Sequence, residues 1–175
     1  GTAFAVKGDD TFTLRAESPE DWKQLLESCT DAAPERFVYL WSLDETDPGA
    51  AMLGTDALFY LTQTLEIVSP EAKIRLDVIT RGAQAVGHGS DVALAQGPVI
   101  GLMRVIANEH NSYPCRSIDL PPKATNADGA LLWNELLQQD AEREVAFRGE
   151  ARYARRITRG LAPQEQVLDR SVPLR

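Results

Sequence analysis

The sequence predicts an α/β fold with a mostly parallel sheet flanked by helices. Three observations predict it. Near-continuous apolar runs, FVYLWSL at 37–43 and IRLDVIT at 74–80, read as strands covered on both faces. Segments of helical period follow them, with Leu53, Ala57, Leu58, Leu61, Leu65 and Val68 in the first and Val99, Leu102, Met103, Ile106 and Ala107 in the second. Strand and helix thus alternate through the middle of the chain, and right-handed crossovers are the expected way to bury both faces of such a sheet.

The elements follow in order. Residues 3–7 and 11–16 read as short strands joined by Gly8-Asp9-Asp10, residue types that suit a tight turn. Ser18-Pro19-Glu20-Asp21 starts a helix: Ser18 caps it, Pro19 fits the first helical position, and the two acids complement the dipole. Trp22, Leu25 and Leu26 give that helix its apolar face. Helices are expected over 51–67 and 98–108, the latter entered at Pro98, with Gly101 allowing close packing. Residues 115–120 form a strand stopped by Pro121-Pro122. A helix over 126–139 places Leu131, Leu132, Leu136 and Leu137 inside, and 144–147 pairs with 151–157 around Arg148-Gly149-Glu150. Trp22, Trp41 and Trp133 all read as core, and Leu102 and Ile106 as sheet-facing. About three βα units are fewer than a two-half dinucleotide fold has, so the architecture is truncated Rossmann-like. Residues 1–160 make the domain, and 161–175, poor in periodic apolar residues, read as a linker.

Composition narrows the partners. The 175 residues can enclose a core as one domain. A net charge of −8 disfavours nucleic acid and anionic membrane surfaces, which call for a basic face. No apolar run approaches the roughly 20 residues of a membrane span, and the start GTAFAVKGDD lacks a signal-peptide pattern. Cys29 and Cys115, far apart and without CxxC spacing, read as two reduced core thiols of a cytoplasmic protein.

The residues that could carry chemistry do not assemble into a catalytic set. A dinucleotide fingerprint needs GxGxxG after the first strand, where this chain has Asp44-Glu45-Thr46-Asp47, whose carboxylates repel a pyrophosphate. Gly82, Gly87 and Gly89 have the wrong spacing. A short-chain reductase needs a Tyr with a Lys four residues on; Tyr39, Tyr60, Tyr113 and Tyr153 are followed at that distance by Leu43, Thr64, Ser117 and Ile157. There is no GxSxG, and His88 and His110 lie in different elements as surface or cap residues. One sharper alternative remains: an independent flavodoxin-like, ligand- or phosphate-responsive domain using residues 44–47 as a Mg²⁺ or phosphoacceptor loop. Against it, Asp77 is inside its strand and Thr80 is followed by Arg81 rather than Lys. No catalytic, cofactor or metal residue is assigned. Arg148, Arg152, Arg155, Arg156 and Arg159 concentrate cations in an acidic chain, and Arg148, Arg152 and Arg155 are read as a docking surface for another domain.

FVYLWSLDE, a Leu-rich helix, LDVITRGAQAVG, AQGPVIGLMRVIANEHN, CRSIDLPP and VAFRGEARYARRITR, in this order, resemble the structural subdomain of a type I modular polyketide synthase ketoreductase over about residues 35–160. The resemblance implies a truncated dinucleotide-type fold without a cofactor site, not an enzyme by itself. It implies a partner: a separate catalytic subdomain that holds NADPH and reduces acyl-carrier-bound β-keto intermediates, within a synthase of several further domains. No catalytic or NADPH residue of the family has a counterpart here.

Overall fold

The computed structural model describes residues 3–8, 11–29, 34–44, 53–70, 73–87, 91–110 and 113–157. The proposed linker at 161–175, His88, Arg159 and most of the acidic loop (Glu45, Thr46, Asp47) lie outside them.

Strands β1 (Ala5–Gly8) and β2 (Thr11–Thr13) form an antiparallel ribbon, shorter than the sequence pattern suggests. Helix α1 (Pro19–Ser28) begins as its residues dictate: Ser18 Oγ accepts the Asp21 amide at 3.3 Å. Asp21 itself is sealed from solvent and binds Arg15, with Nη2 2.7 Å from Oδ1. Trp22 is buried and donates its indole N–H to the Ala16 carbonyl at 3.0 Å.

The main sheet has five strands in the order β3 (Arg36–Tyr39), β4 (Arg75–Arg81), β5 (Cys115–Leu120), β6 (Glu144–Arg148) and β7 (Ala151–Ala154). The first four are parallel and β7 returns antiparallel. Helices α2 (Leu53–Val68), α3 (Gly97–Glu109) and α4 (Asp128–Leu136) connect the parallel strands in turn.

Because strand side chains alternate between faces, the two cores assign each helix a side. Leu76, Val78 and Cys115 pack with Leu58, Leu61 and Leu65 of α2 and Val99, Met103 and Ile106 of α3. Ile79, Ile118, Leu120, Val145 and Phe147 pack with Leu131, Leu132 and Leu136 of α4 on the opposite face. All three crossovers step in the same direction along the sheet, so the β5–α4–β6 connection has the opposite hand to the two before it. The expectation of uniformly right-handed crossovers therefore does not hold for all three.

Other expectations need correction. The strand expected over 37–43 ends at Tyr39, and Trp41–Asp44 forms a 3-10 turn whose Ser42 hydroxyl donates to the Ile79 carbonyl. Trp133 is 63% exposed and Leu137 59%, because Leu131, Leu132, Glu135 and Leu136 take the inner arc of α4 at helical spacing. Trp41 is partly exposed and rests on Trp22, ring centroids 5.4 Å apart. Leu102 is only half-buried at the rim of α3, whose centre is held by Val99, Met103 and Ile106. Gly101 faces open space, with no atom within 4 Å of an added Cβ, so it mediates no close packing.

Candidate functional site

In open α/β sheets ligands enter beyond the carboxyl ends of strands, where neighbouring connections leave on opposite faces. The monotonic strand order has no reversal, but β4 leads to α3 on one face and β5 to α4 on the other. The candidate site is therefore the end of β4 and β5. Thr80, Ser117, Asp119 and Arg148 share the α2–α3 face there, by strand parity and register.

The turn after β4 is built on Gly82, whose φ of 60° is the left-handed region. An added Cβ would stand 3.1 Å from Pro122 Cα, so the site requires glycine twice over. The Gly82 amide donates to the Leu120 carbonyl at 3.0 Å, closing the turn onto β5. Arg81 fixes the same corner: its amide donates to Gln96 Oε1 at 2.8 Å, and its guanidinium reaches Pro121 O at 2.9 Å and Asp128 at 2.7 Å.

At the centre stands Asp119, with no solvent exposure. Its Oδ1 accepts the Thr80 hydroxyl at 2.7 Å and the Ala83 amide at 2.8 Å. Its Oδ2 accepts the Gln84 amide at 3.2 Å and Arg148 Nη2 at 2.9 Å. Arg148 also donates to the carbonyls of Gln84 and Phe147, and Gln84 Nε2 to Ser117 Oγ at 3.2 Å. Four donors converge on one carboxylate, a saturated arrangement. The amides of Ala83 and Gln84 are the kind of groups that would hold a ligand's phosphate at such a turn. Here they are committed to an internal anion, Asp119.

The other residues singled out by sequence do not join this centre. His110 Nδ1 lies 2.6 Å from Glu66 Oε1, linking the C-terminal ends of α3 and α2. Tyr39 donates to the Gly54 carbonyl, and Tyr113 to the Ser69 carbonyl at 3.3 Å. Both cysteines are free thiols; burial, with the charge of Asp77 adding, pushes the Cys115 thiol up to about 12, which leaves it inert. Cys29 is partly exposed at the end of α1 rather than in the core. Asp44 is exposed at the end of its 3-10 turn, and Asp77 is buried mid-sheet against Arg116. Among the described residues no group of three or more His, Cys, Asp and Glu is arranged to hold a metal. No described helix is long and apolar enough to cross a membrane.

The three arginines read as a docking surface are each paired within the domain. Arg148 meets Asp119 at 2.9 Å, Arg152 meets Glu135 at 2.7 Å and Asp140 at 2.6 Å, and Arg155 meets Glu144 at 2.7 Å. Sequence reading missed Asp119, Gln84 and Glu135. The available signal was a charged residue between Ile118 and Leu120 in a strand covered on both faces, which demands an internal partner.

Comparison with known proteins agrees with this geometry. Residues 2–157 match the family described as polyketide synthase extender module SpnB, Rossmann fold domain. A phenolphthiocerol/phthiocerol polyketide synthase of Mycobacterium tuberculosis is 30% identical over 149 residues, 85% of this chain but 7% of that protein. The structure of a C2-type ketoreductase from a modular polyketide synthase superposes with a TM-score of 0.69 at 27% identity, covering 81% of this chain and 32% of that one. An A-type ketoreductase structure from a modular polyketide synthase gives 0.67 at 30% identity over 84% of this chain and 32% of that one. The chain belongs to the Rossmann-fold domain family of polyketide synthase extender modules, the ketoreductase region of these synthases.

Proposed function

We propose that this domain is the non-catalytic structural subdomain of a polyketide synthase ketoreductase. In this reading it supports a separate catalytic subdomain, which binds NADPH and reduces acyl-carrier-bound β-keto intermediates. The observation that carries the reading is the saturation of Asp119, because the backbone amides and the carboxylate at the strand ends are closed on one another. A nucleotide would have to break a buried charged network to reach them, and such networks are strongly unfavourable to open. The absence of a Lys four residues after any Tyr supports the same reading, since no phenol is tuned as a proton donor.

Docking through Arg148, Arg152 and Arg155 stays part of this proposal in altered form. Closed ion pairs fix orientation through hydrogen bonds more than they attract by net charge. Association with the catalytic subdomain should then depend weakly on salt.

Calorimetric titration of the chain with NADPH tests the proposal. No heat of binding is expected, and reduction of a simple β-keto thioester should require the catalytic subdomain supplied alongside. Micromolar NADPH binding, or turnover by this chain alone, would overturn it.

A further inference from the structure

We propose that the domain also carries a binding site for a small organic anion, in the cavity where Arg104 of α3 and Arg155 beyond β7 share the single carboxylate of Glu144. The cavity has a volume of about 580 Å³, within the range of small-molecule sites. It lies over β6 and β7 on the α2–α3 face, beside the turn that follows β4. Its lining includes the buried apolar residues Ala83, Ile100 and Ala146, with Val86 half-buried beside them.

The rim is cationic in a chain of net charge −8. Arg104 binds Glu144 through Nε at 3.1 Å and Nη2 at 2.6 Å, while Arg155 Nη1 reaches the same carboxylate at 2.7 Å. Arg156 has its own partner, Glu142, at 2.6 Å. Among the described residues, three guanidinium groups thus pair with two carboxylates at the cavity, an excess of one positive charge. Two cations on one carboxylate repel each other, and a second anion between them relieves that repulsion.

Donors remain for such an anion. The Arg104 and Arg155 side chains are 42% and 45% exposed, whereas Glu144 is 12% exposed, so the cations face the opening and the carboxylate lies behind them. Among the described residues, Nε and Nη2 of Arg155 and the half-exposed Tyr153 hydroxyl carry no hydrogen bond. A cationic rim beside buried apolar side chains fits one carboxylate or phosphate head on a short, uncharged aliphatic body. The site shares Arg155 with the proposed docking surface, but it needs neither a nucleotide nor a second domain, and its test on this chain alone can fail without touching the structural-subdomain reading.

The test is an amide-resolved NMR titration of the full chain with hexanoate and, separately, with hexanol. Hexanoate should shift the amides of Gly97, Ile100, Ala146 and Tyr153 saturably. Hexanol, which lacks the charge, should bind at least about tenfold more weakly. Arg155→Gln should weaken hexanoate about tenfold, with amides away from the cavity unchanged. Arg104→Gln provides a second variant on a different element, so a folding defect in one does not mask the result. Absence of shifts at millimolar hexanoate, equal binding of hexanoate and hexanol, or binding unchanged in both variants would each overturn the proposal.

Discussion

Asp77 and Arg116 stand side by side on neighbouring parallel strands, in direct register, with Arg116 Nε 2.7 Å from Asp77 Oδ1 and both sealed from solvent. Beneath α4 the pair continues into a network. Arg116 Nη1 reaches Glu135 at 3.2 Å, Glu135 holds Arg152, and Arg36 approaches the far oxygen of Asp77 at 3.2 Å. That oxygen has two cations beside it, Arg36 and, at 3.6 Å, Arg75, but no hydrogen bond of good geometry. Removing Arg116 takes away the one fully buried cation of the network and leaves Asp77 to the longer contacts with Arg36 and Arg75, so Arg116→Ala should lower stability by about 2–4 kcal/mol. Replacing both, as Asp77→Leu with Arg116→Met, should cost far less than the sum of the single changes. Urea unfolding of the two singles and the double makes the comparison, and additivity would show that the two charges are not coupled.

Helix α3 has a centre and a rim. Met103→Ala should cost about 2–5 kcal/mol because the side chain is enclosed, while Leu102→Ala at the rim should cost ~1 kcal/mol. Equal shifts in urea midpoint would mean that α3 is rotated about its axis relative to the sheet.

Two glycines should respond with opposite signs. Gly101→Ala sits in a helix with open space around the new methyl, and should stabilise by about 0.5–1 kcal/mol. Gly82→Ala adds a methyl against Pro122 at a left-handed φ, and should destabilise. Thermal unfolding of the pair reads both, and a shift of the same sign in each would contradict the local geometry.

Stability should fall in acid. Arg15 holds the Asp21 carboxyl well below the usual carboxylate range, through side-chain and backbone hydrogen bonds that outweigh burial. Arg156 lowers Glu142 in the same way. At Glu144 burial pushes upward, but the bonds from Arg104 and Arg155 prevail and the net direction is down. A depressed carboxylate stays charged in the folded state while its unfolded counterpart binds a proton. Its contribution is therefore complete above the ordinary carboxylate range, at about pH 4 to 4.5, and is lost as pH falls through the lower folded values. Urea midpoints from pH 6 down to pH 2 should decline below about pH 4. Asp21→Asn should flatten part of that decline, and an unchanged slope would remove Asp21 from the account.

The strand at Cys115–Leu120 was legible to the residue, because an apolar run ended by two prolines leaves no other boundary. The strand at Arg36 was not. Its apolar run continues through Leu43, and only tertiary contact shows the chain leaving the sheet at Leu40 so that Ser42 can meet Ile79. Periodicity marked α4 but misjudged Trp133, since an apolar residue on the outer arc obeys the same composition as one on the inner arc. The candidate site was legible only as a lack of motifs. Its positive content, Asp119 closed by Thr80, Ala83, Gln84 and Arg148, joins Asp119 to residues 29 to 39 positions away, a pairing that no local pattern encodes.

Strand β7 has a consequence for how the molecule behaves at high concentration. The Arg155 amide donates to the Glu144 carbonyl at 3.0 Å, so by antiparallel alternation the backbone of Arg152 and Ala154 points away from the sheet. That edge is short and carries arginines, features that discourage a second chain from adding to it. Behind it lies β6, whose Val145, Ala146 and Phe147 are apolar and buried. The grip of Glu135 on Arg152 adds to the β6–β7 ladder in keeping the poorly sticking edge outside the sticky one. Loosening that grip, as by Glu135→Gln, should first be seen as concentration-dependent self-association, at temperatures where the helices are still intact. The Arg152–Glu135 pair would then act against self-association as well as within the buried network under α4.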